Sequence, residues 1–226
     1  MKLLSIARVG FLSVAGILIP LHSQSRQEHS APAANSELAA KPGANPPSRD
    51  DYVGDQICAG CHGEKVSSFH QTAHYLTSRL PDKQSILGSF TPGTDAFTTS
   101  NPDLSFRIEA TKDGFFQTAV EGISPYTTER TERFGLVIGS GGKGQTYLYW
   151  KEDQLFQLPI SYWNELGWVN SPGYRDGIAN FNRPVIPRCL ECHATYFDAT
   201  PPPPNRYKVT GFLLGIDCEK CHGPGR

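Results

Sequence analysis

Methionine is all but missing from this chain of 226 residues, and the single one is Met1. Charge is scarce too: 19% of residues are Asp, Glu, Lys or Arg, against about 25% in an ordinary soluble protein. Neither sign dominates, and the formal net charge is −1. That balance excludes a generally basic nucleic-acid binder and an acidic disordered chain. No heptad pattern and no repeat with a period of roughly 20–50 residues is present, which excludes coiled coil and solenoid. No cysteine precedes Cys58, so there is no lipid-attachment cysteine, and residues 85–184 contain neither cysteine nor histidine. What the chain does have is 22 glycines and 18 prolines, a composition that favours turns and loops over long regular elements. Its length accommodates one ordinary domain or two small ones.

Residues 1–25 read as a secretory signal peptide. Lys2 and Arg8 supply positive charge, residues 11–21 are apolar, and Ser23 and Ser25 place small side chains where a signal peptidase cuts. The apolar run is well short of the roughly 20 residues that a membrane span needs. Cleavage is therefore expected, with no stable membrane span afterwards and a periplasmic or otherwise exported product. Residues 26–50 are rich in Ala, Pro, Ser and Asn, lack aromatics and contain one leucine, Leu38. Such a segment buries too little apolar surface to offset its ordering entropy. It reads as a disordered linker, and His29 within it is a poor ligand.

All six cysteines fall in three copies of one pattern: Cys58-Ala59-Gly60-Cys61-His62, Cys189-Leu190-Glu191-Cys192-His193 and Cys218-Glu219-Lys220-Cys221-His222. Cys-x-x-Cys-His is the attachment signature of c-type haem. Two thiols at this spacing add to the two vinyl groups of one porphyrin, and the adjacent histidine reaches one face of the iron. A disulfide framework has no reason to place histidine after every second cysteine. A closed zinc site joins two Cys-x-x-Cys pairs, which leaves the third unused. A thioredoxin-like site uses one. The expected cofactors are three covalent haems c, with iron held by His62, His193 and His222.

Each iron has a second axial position. Met1 leaves with the signal, so no haem here is His/Met from this chain. Once the motif histidines, His22 and His29 are set aside, His70 and His74 remain as distal ligands. Residues 64–79 read as a helix, which puts these two at i and i+4 on one face. The distal histidine of a packed multihaem protein often serves a neighbour's iron, so His74 need not bind the haem of its own segment. Two histidines cannot cap three irons. Either one haem is five-coordinate, or another group binds it, or the ligand lies beyond Arg226, and a truncated chain is the expectation.

Between the first haem-binding segment, 51–84, and the second and third, 185–226, lies a β-rich insertion over 85–184. Leu104, Phe106, Ile108 and Ala110 alternate with Ser105, Arg107 and Glu109, then Lys112-Asp113-Gly114 supplies a turn and residues 115–120 return as a hairpin. Residues 131–138 and 145–150 read as further strands, with 155–158 pairing back across 151–154. The Gly-rich stretch 139–144 is not a phosphate loop, because Lys143 precedes Gly144 rather than Ser or Thr. The aromatic-rich stretch from Tyr147 to Tyr174 reads as β-core. Residues 201–204, four prolines, read as a stiff polyproline spacer. The fold class is α+β with much irregular structure: haem-packed helical and loop segments flank an antiparallel β-rich insertion.

The phrase Tyr52-Val53-Gly54, the first motif and Gln71-Thr72-Ala73-His74 together resemble the opening of cytochrome c-554-like multihaem proteins. Arg188 to His193 and Gly215 to Gly225 resemble later haem segments of that group. The phrases Gly144-Gln145-Thr146-Tyr147-Leu148, Gln157-Leu158-Pro159 and Ser171-Pro172-Gly173-Tyr174 are similar to multihaem cytochromes that also carry tetratricopeptide repeats. The resemblance spans residues 51–226. It implies an exported electron carrier with closely packed, mostly bis-histidine haems, with His74 at the family's early distal position and His62, His193 and His222 at proximal ones. The fourth haem motif of the tetrahaem carrier is absent.

The leading functional expectation is therefore electron transfer with redox partner proteins. Haem propionates would make the holoprotein more acidic and favour basic patches on those partners. No nucleic-acid partner is expected, and a haem-to-haem oligomer stays open. The alternative is a haem enzyme in which one open iron, that of His193 or His222, meets a small nitrogen or sulfur species. Arg183, Arg188, Lys220 or Tyr196 would then hold the anion or move protons, although pairing with a propionate is the favoured use of Arg188. A third reading is a redox-sensing haem domain of a longer repeat protein.

Overall fold

The computed structural model describes residues 46–226. The signal at 1–25 and linker residues 26–45, with His22 and His29, lie outside the described residues. A 3-10 turn (Arg49–Asp51) comes first, followed by α1 (Asp55–Phe69) and β1 (Ser78–Arg79). The central region contributes β2 (Ala96–Thr98), β3 (Leu104–Thr111), β4 (Gly114–Ile123), β5 (Tyr126–Arg133), β6 (Leu136–Ile138), β7 (Gly144–Lys151), β8 (Gln154–Gln157), β9 (Ile160–Trp163) and β10 (Gly167–Asn170). Last come α2 (Pro187–His193), β11 (Ala194–Tyr196), β12 (Leu213–Leu214) and α3 (Cys218–His222). No helix among the described residues is long and apolar enough to cross a membrane.

Strands β2 to β5 form one antiparallel sheet in chain order. β3 and β4 pair along the whole hairpin, from Leu104 opposite Glu121 to Thr111 opposite Gly114. Its alternation has the physical meaning the sequence implied: Leu104, Phe106 and Ile108 are buried, while Arg107 points outward to pair with Glu129 at 3.2 Å. The second sheet runs β1-β6-β7-β9-β10, with β8 folded back on the end of β7.

This second sheet is covered on both faces. Val137, Tyr147 and Tyr149 pack against Leu104, Phe106 and Ile108 of the first sheet. Leu136, Ile138 and Leu148 face the other way, onto Val185, Leu190 and Tyr207. A strand buried on both sides has no polar face, hence the uninterrupted Tyr147-Leu148-Tyr149-Trp150. The aromatic stretch is largely core: Tyr147 stacks on Phe134 with ring centroids 4.4 Å apart, and Trp168 donates its indole N–H to Ser89 O at 3.0 Å.

Two sequence expectations are corrected. Residues 131–138 are two strands, not one: β5 ends in the first sheet at Arg133 and β6 starts in the second at Leu136. Phe134 and Gly135 carry the crossing, and a Cβ on Gly135 would lie 2.7 Å from the Trp150 ring, so glycine alone lets the strand pass there. The helix expected over 64–79 stops at Phe69. Thr72 donates its hydroxyl to Phe69 O at 2.7 Å and accepts Tyr75 N–H at 3.3 Å, a local turn that competes with the helical ladder. A 3-10 turn (Tyr75–Thr77) follows, and then β1 pairs with β6. His70 and His74 consequently do not share a helical face. The four prolines also turn rather than extend, and Arg206 N–H returns to Pro203 O at 3.1 Å.

Candidate functional site

Each Cys-x-x-Cys-His motif is helical. The first lies in α1, whose backbone leaves helical geometry at His62 (φ −122°, ψ 36°). The second occupies most of α2, started by Pro187 at its first turn. The third is α3 itself, capped by the Asp217 carboxylate, which accepts Glu219 N–H at 2.9 Å. All six thiols are unpaired and at least partly exposed, so they do not form a disulfide framework. Among the described residues no three His, Cys, Asp or Glu side chains converge as a metal cluster. A structural zinc needs such convergence; a haem iron needs only axial ligands from the protein.

The three segments are tied by backbone and hydroxyl contacts. β11, directly after His193, pairs with β12. Thr195 donates its hydroxyl to Gly215 O and accepts Asp217 N–H, each at 2.8 Å. Ile216 N–H reaches His74 O at 3.0 Å. At Gly215 (φ +71°) a Cβ would sit 2.1 Å from Tyr75 O. Gly215→Ala is therefore expected to destabilise the protein by at least about 1 kcal/mol, read as a lower urea midpoint. An unchanged midpoint would mean that this crossing is loose.

One cavity of about 1050 Å³ lies between the first and third motifs, with Cys58, His62, Val66 and Phe69 on one side and Cys218, Cys221, His222 and Pro224 on the other. Ligand pockets usually reach about 300–1,000 Å³, so the space is large for a single small molecule. Val66 is the one residue of α1 buried in the protein. The helix has almost no core of its own: Val66 and Phe69 line the cavity, while Ile57 is exposed. The residues present fit covalently attached haem: the Cys218 and Cys221 pair, Cys58, the adjacent imidazoles of His62 and His222, and apolar walls, with Cys61 exposed outside the lining. The second motif stands outside this cavity, with Cys189 and Cys192 exposed on α2.

Glu219 closes the cavity at one edge. It is 4% exposed, and its carboxylate accepts Val53 N–H at 2.9 Å, Gly54 N–H at 2.7 Å and Gly225 N–H at 2.8 Å. Burial alone would raise its pKa, but these N–H groups, with the Arg49 charge, hold it below the usual carboxylate value. Asp217 goes the other way, raised by burial. The Cys218 thiol is also raised, first by burial and then by the Cys58 thiol across the cavity. Burial lowers the pKa of His193.

The remaining sequence-predicted residues are scattered. His70 Nε2 is engaged by the Asp55 carboxylate, and its ring stacks on Tyr75 at 3.9 Å. His74 is exposed in the turn after α1. Arg188 pairs with Glu191 at 2.9 Å, Arg183 lies over the Tyr174 ring at 5.5 Å, Lys220 reaches Thr195 O at 3.5 Å, and Tyr196 packs on Tyr52 at 5.1 Å. Sequence reasoning missed Glu219, Thr77 and Asp217. Only Asp217 carried a signal, as an N-cap residue just before a helical motif.

Residues 176–223 match the family model for cytochrome c554 and c-prime. The cytochrome-c554-like stretch takes in the second and third motifs whole, from Cys189 to His222, and supports a c-type cytochrome with covalent haem c, acting in electron transfer. The first motif lies outside the match. No curated protein and no solved structure matches the chain.

Proposed function

We propose that the protein is an exported multihaem c-type cytochrome that transfers electrons through three covalently bound, mainly bis-histidine haems. The observation that carries this reading is the cavity between the first and third motifs, where Cys58, Cys218 and Cys221 and the two motif histidines His62 and His222 line a common, mainly apolar space. Cys58 and Cys61, Cys189 and Cys192, and Cys218 and Cys221 hold the porphyrins. His62, His193 and His222 supply the proximal nitrogens, and His74 and His70 are the distal candidates. When bound, haem supplies an iron that cycles between ferric and ferrous. The chain sets the spacing: the Glu219 clamp holds the first and third motifs together, and β11 with β12 ties the second to the third. Val66, Phe69 and Pro224 supply apolar walls to the shared space.

The pairing of His70 with Asp55 favours a second reading, in which one iron stays open and binds a small nitrogen or sulfur species. Pyridine haemochrome assay, peptide mass and ferric EPR of the exported holoprotein separate the two. Three haems per chain, all low-spin and indifferent to nitrite or carbon monoxide, are expected. A high-spin signal that moves on adding nitrite would favour the open-iron enzyme, and a chain exported without haem would overturn both.

A further inference from the structure

The three motif histidines are not held alike. His62 and His222 are exposed, and neither ring makes a hydrogen bond among the described residues. His193 is half-buried, and its Nδ1 lies 2.7 Å from Thr77 Oγ1. Its backbone is gripped as well: Ser78 donates its hydroxyl to His193 O and accepts Gly215 N–H at 2.8 Å.

Thr77 and Ser78 do not belong to the second segment. They sit where the 3-10 turn meets β1, and their placement is set by the large sheet. Ser78 is in register with Ile138 of β6, and Thr77 O accepts Gly139 N–H at 2.7 Å. The hydroxyl that meets His193 is therefore mounted on a rigid strand end from a distant part of the sequence, which is what holding a ring at a fixed angle requires.

The hydrogen bond accommodates the tautomer that binds metal, since a hydroxyl can accept as well as donate. An imidazole that ligates iron through Nε2 carries its proton on Nδ1. Thr77 Oγ1 is in place to accept that proton. In the opposite tautomer the threonine hydroxyl would donate to Nδ1 and the ring proton would sit on Nε2, closed to a metal. An acceptor on Nδ1–H raises the basicity of the ligating nitrogen and stabilises ferric over ferrous iron.

The geometry points to Thr77 as a positioning residue that holds the ring angle of His193 and accepts its Nδ1 proton when Nε2 is the ligand, and so sets the potential of the iron on the second motif apart from the other two. This rests on the haem reading above. The test uses the exported holoprotein and its Thr77→Val, Thr77→Ala and Thr77→Ser variants, titrated by spectroelectrochemistry. The midpoint missing from a Cys189→Ala/Cys192→Ala variant identifies the second haem.

The Val and Ala variants should each move that midpoint upward and leave the others in place, and the Ser variant should stay at the wild-type value. If Val fails to fold, Ala reads the same quantity. Unmoved midpoints, a common shift of all of them, or a Ser variant displaced as far as Val would overturn the inference. Peptide mass taken on the same samples tells this failure from that of the haem reading: a Cys189–His193 peptide without haem defeats the reading itself, and the inference with it.

Discussion

Replacing Glu219 with alanine is expected to lower the free energy of unfolding by about 3 kcal/mol, roughly 1 kcal/mol for each N–H left without its acceptor. The carboxylate is buried, and its three donors come from Val53 and Gly54, which lead into α1, and from Gly225, which follows α3. Val53 and Gly54 are half-buried and water reaches them only in part, so their N–H groups carry most of the loss, whereas Gly225 is exposed and is more readily resolvated. Glutamine should recover a fraction, since one amide oxygen remains while the NH₂ opposes a donor. Urea unfolding at neutral pH reads the effect directly, and a change under about 0.5 kcal/mol would show that the clamp is incidental.

The pH dependence gives the same variant a second signature. Because the folded pKa of Glu219 is depressed, its contribution is present above the ordinary carboxylate value and is lost as pH falls through the folded value. The gap between wild type and Glu219→Ala should therefore narrow in acid. Asp217, whose folded pKa is raised by burial, acts in the opposite sense. Its contribution is present below the ordinary value and is lost as pH rises through the raised one. Both chains keep Asp217, but the Glu219 charge contributes to its raised pKa, so it cancels only in part; the main cause of its shift, burial, is common to both.

Removing the thiol pair of the third motif should do far more damage than removing that of the second. On the three-haem proposal, with one haem on Cys58 and Cys61 and another on Cys218 and Cys221, the Cys218→Ala/Cys221→Ala variant loses one occupant of the shared cavity, and the void left is larger than any side chain leaves. Its cost should reach or exceed the roughly 5 kcal/mol at the top of the range for large-to-small core substitutions. The visible and EPR spectra of the haem on Cys58 and Cys61 should change as well, because α1 buries only Val66 in protein and would lose what it packs against. Cys189→Ala/Cys192→Ala removes groups exposed on α2 and should leave the other two spectra alone. Equal losses of stability from the two double variants, with the remaining spectra unchanged in both, would mean that the first and third motifs do not share an occupant space.

The parts of this protein that could be read from the chain are those whose cause is local. A Cys-x-x-Cys-His motif is complete within five neighbouring residues, and its chemistry needs no distant partner. The hairpin over β3 and β4 announces itself because alternation and turn lie within one stretch. The division between β5 and β6 left no such mark: the apolar run Phe134-Gly135-Leu136-Val137-Ile138 continues through it, and only the approach of Trp150 to Gly135 distinguishes a crossing from a strand. The break after Phe69 was hidden for a related reason. The residues beyond it suit a helix by themselves, and the pairing of β1 with β6 outweighs that preference.

By itself the sequence pointed to c-type haem chemistry, through three copies of one motif that use every cysteine, and its alternation marked the β3 and β4 hairpin. Only the tertiary structure decided which motifs meet. The first and third come together across one cavity, clamped by Glu219 onto backbone 165 and 166 residues away. The second stands apart, with its histidine held by Thr77. A carboxylate or a hydroxyl in the sequence says only what it can bond. Which donor or acceptor lies within 3 Å of it depends on how the sheets and loops close, and that is set by packing over the whole chain.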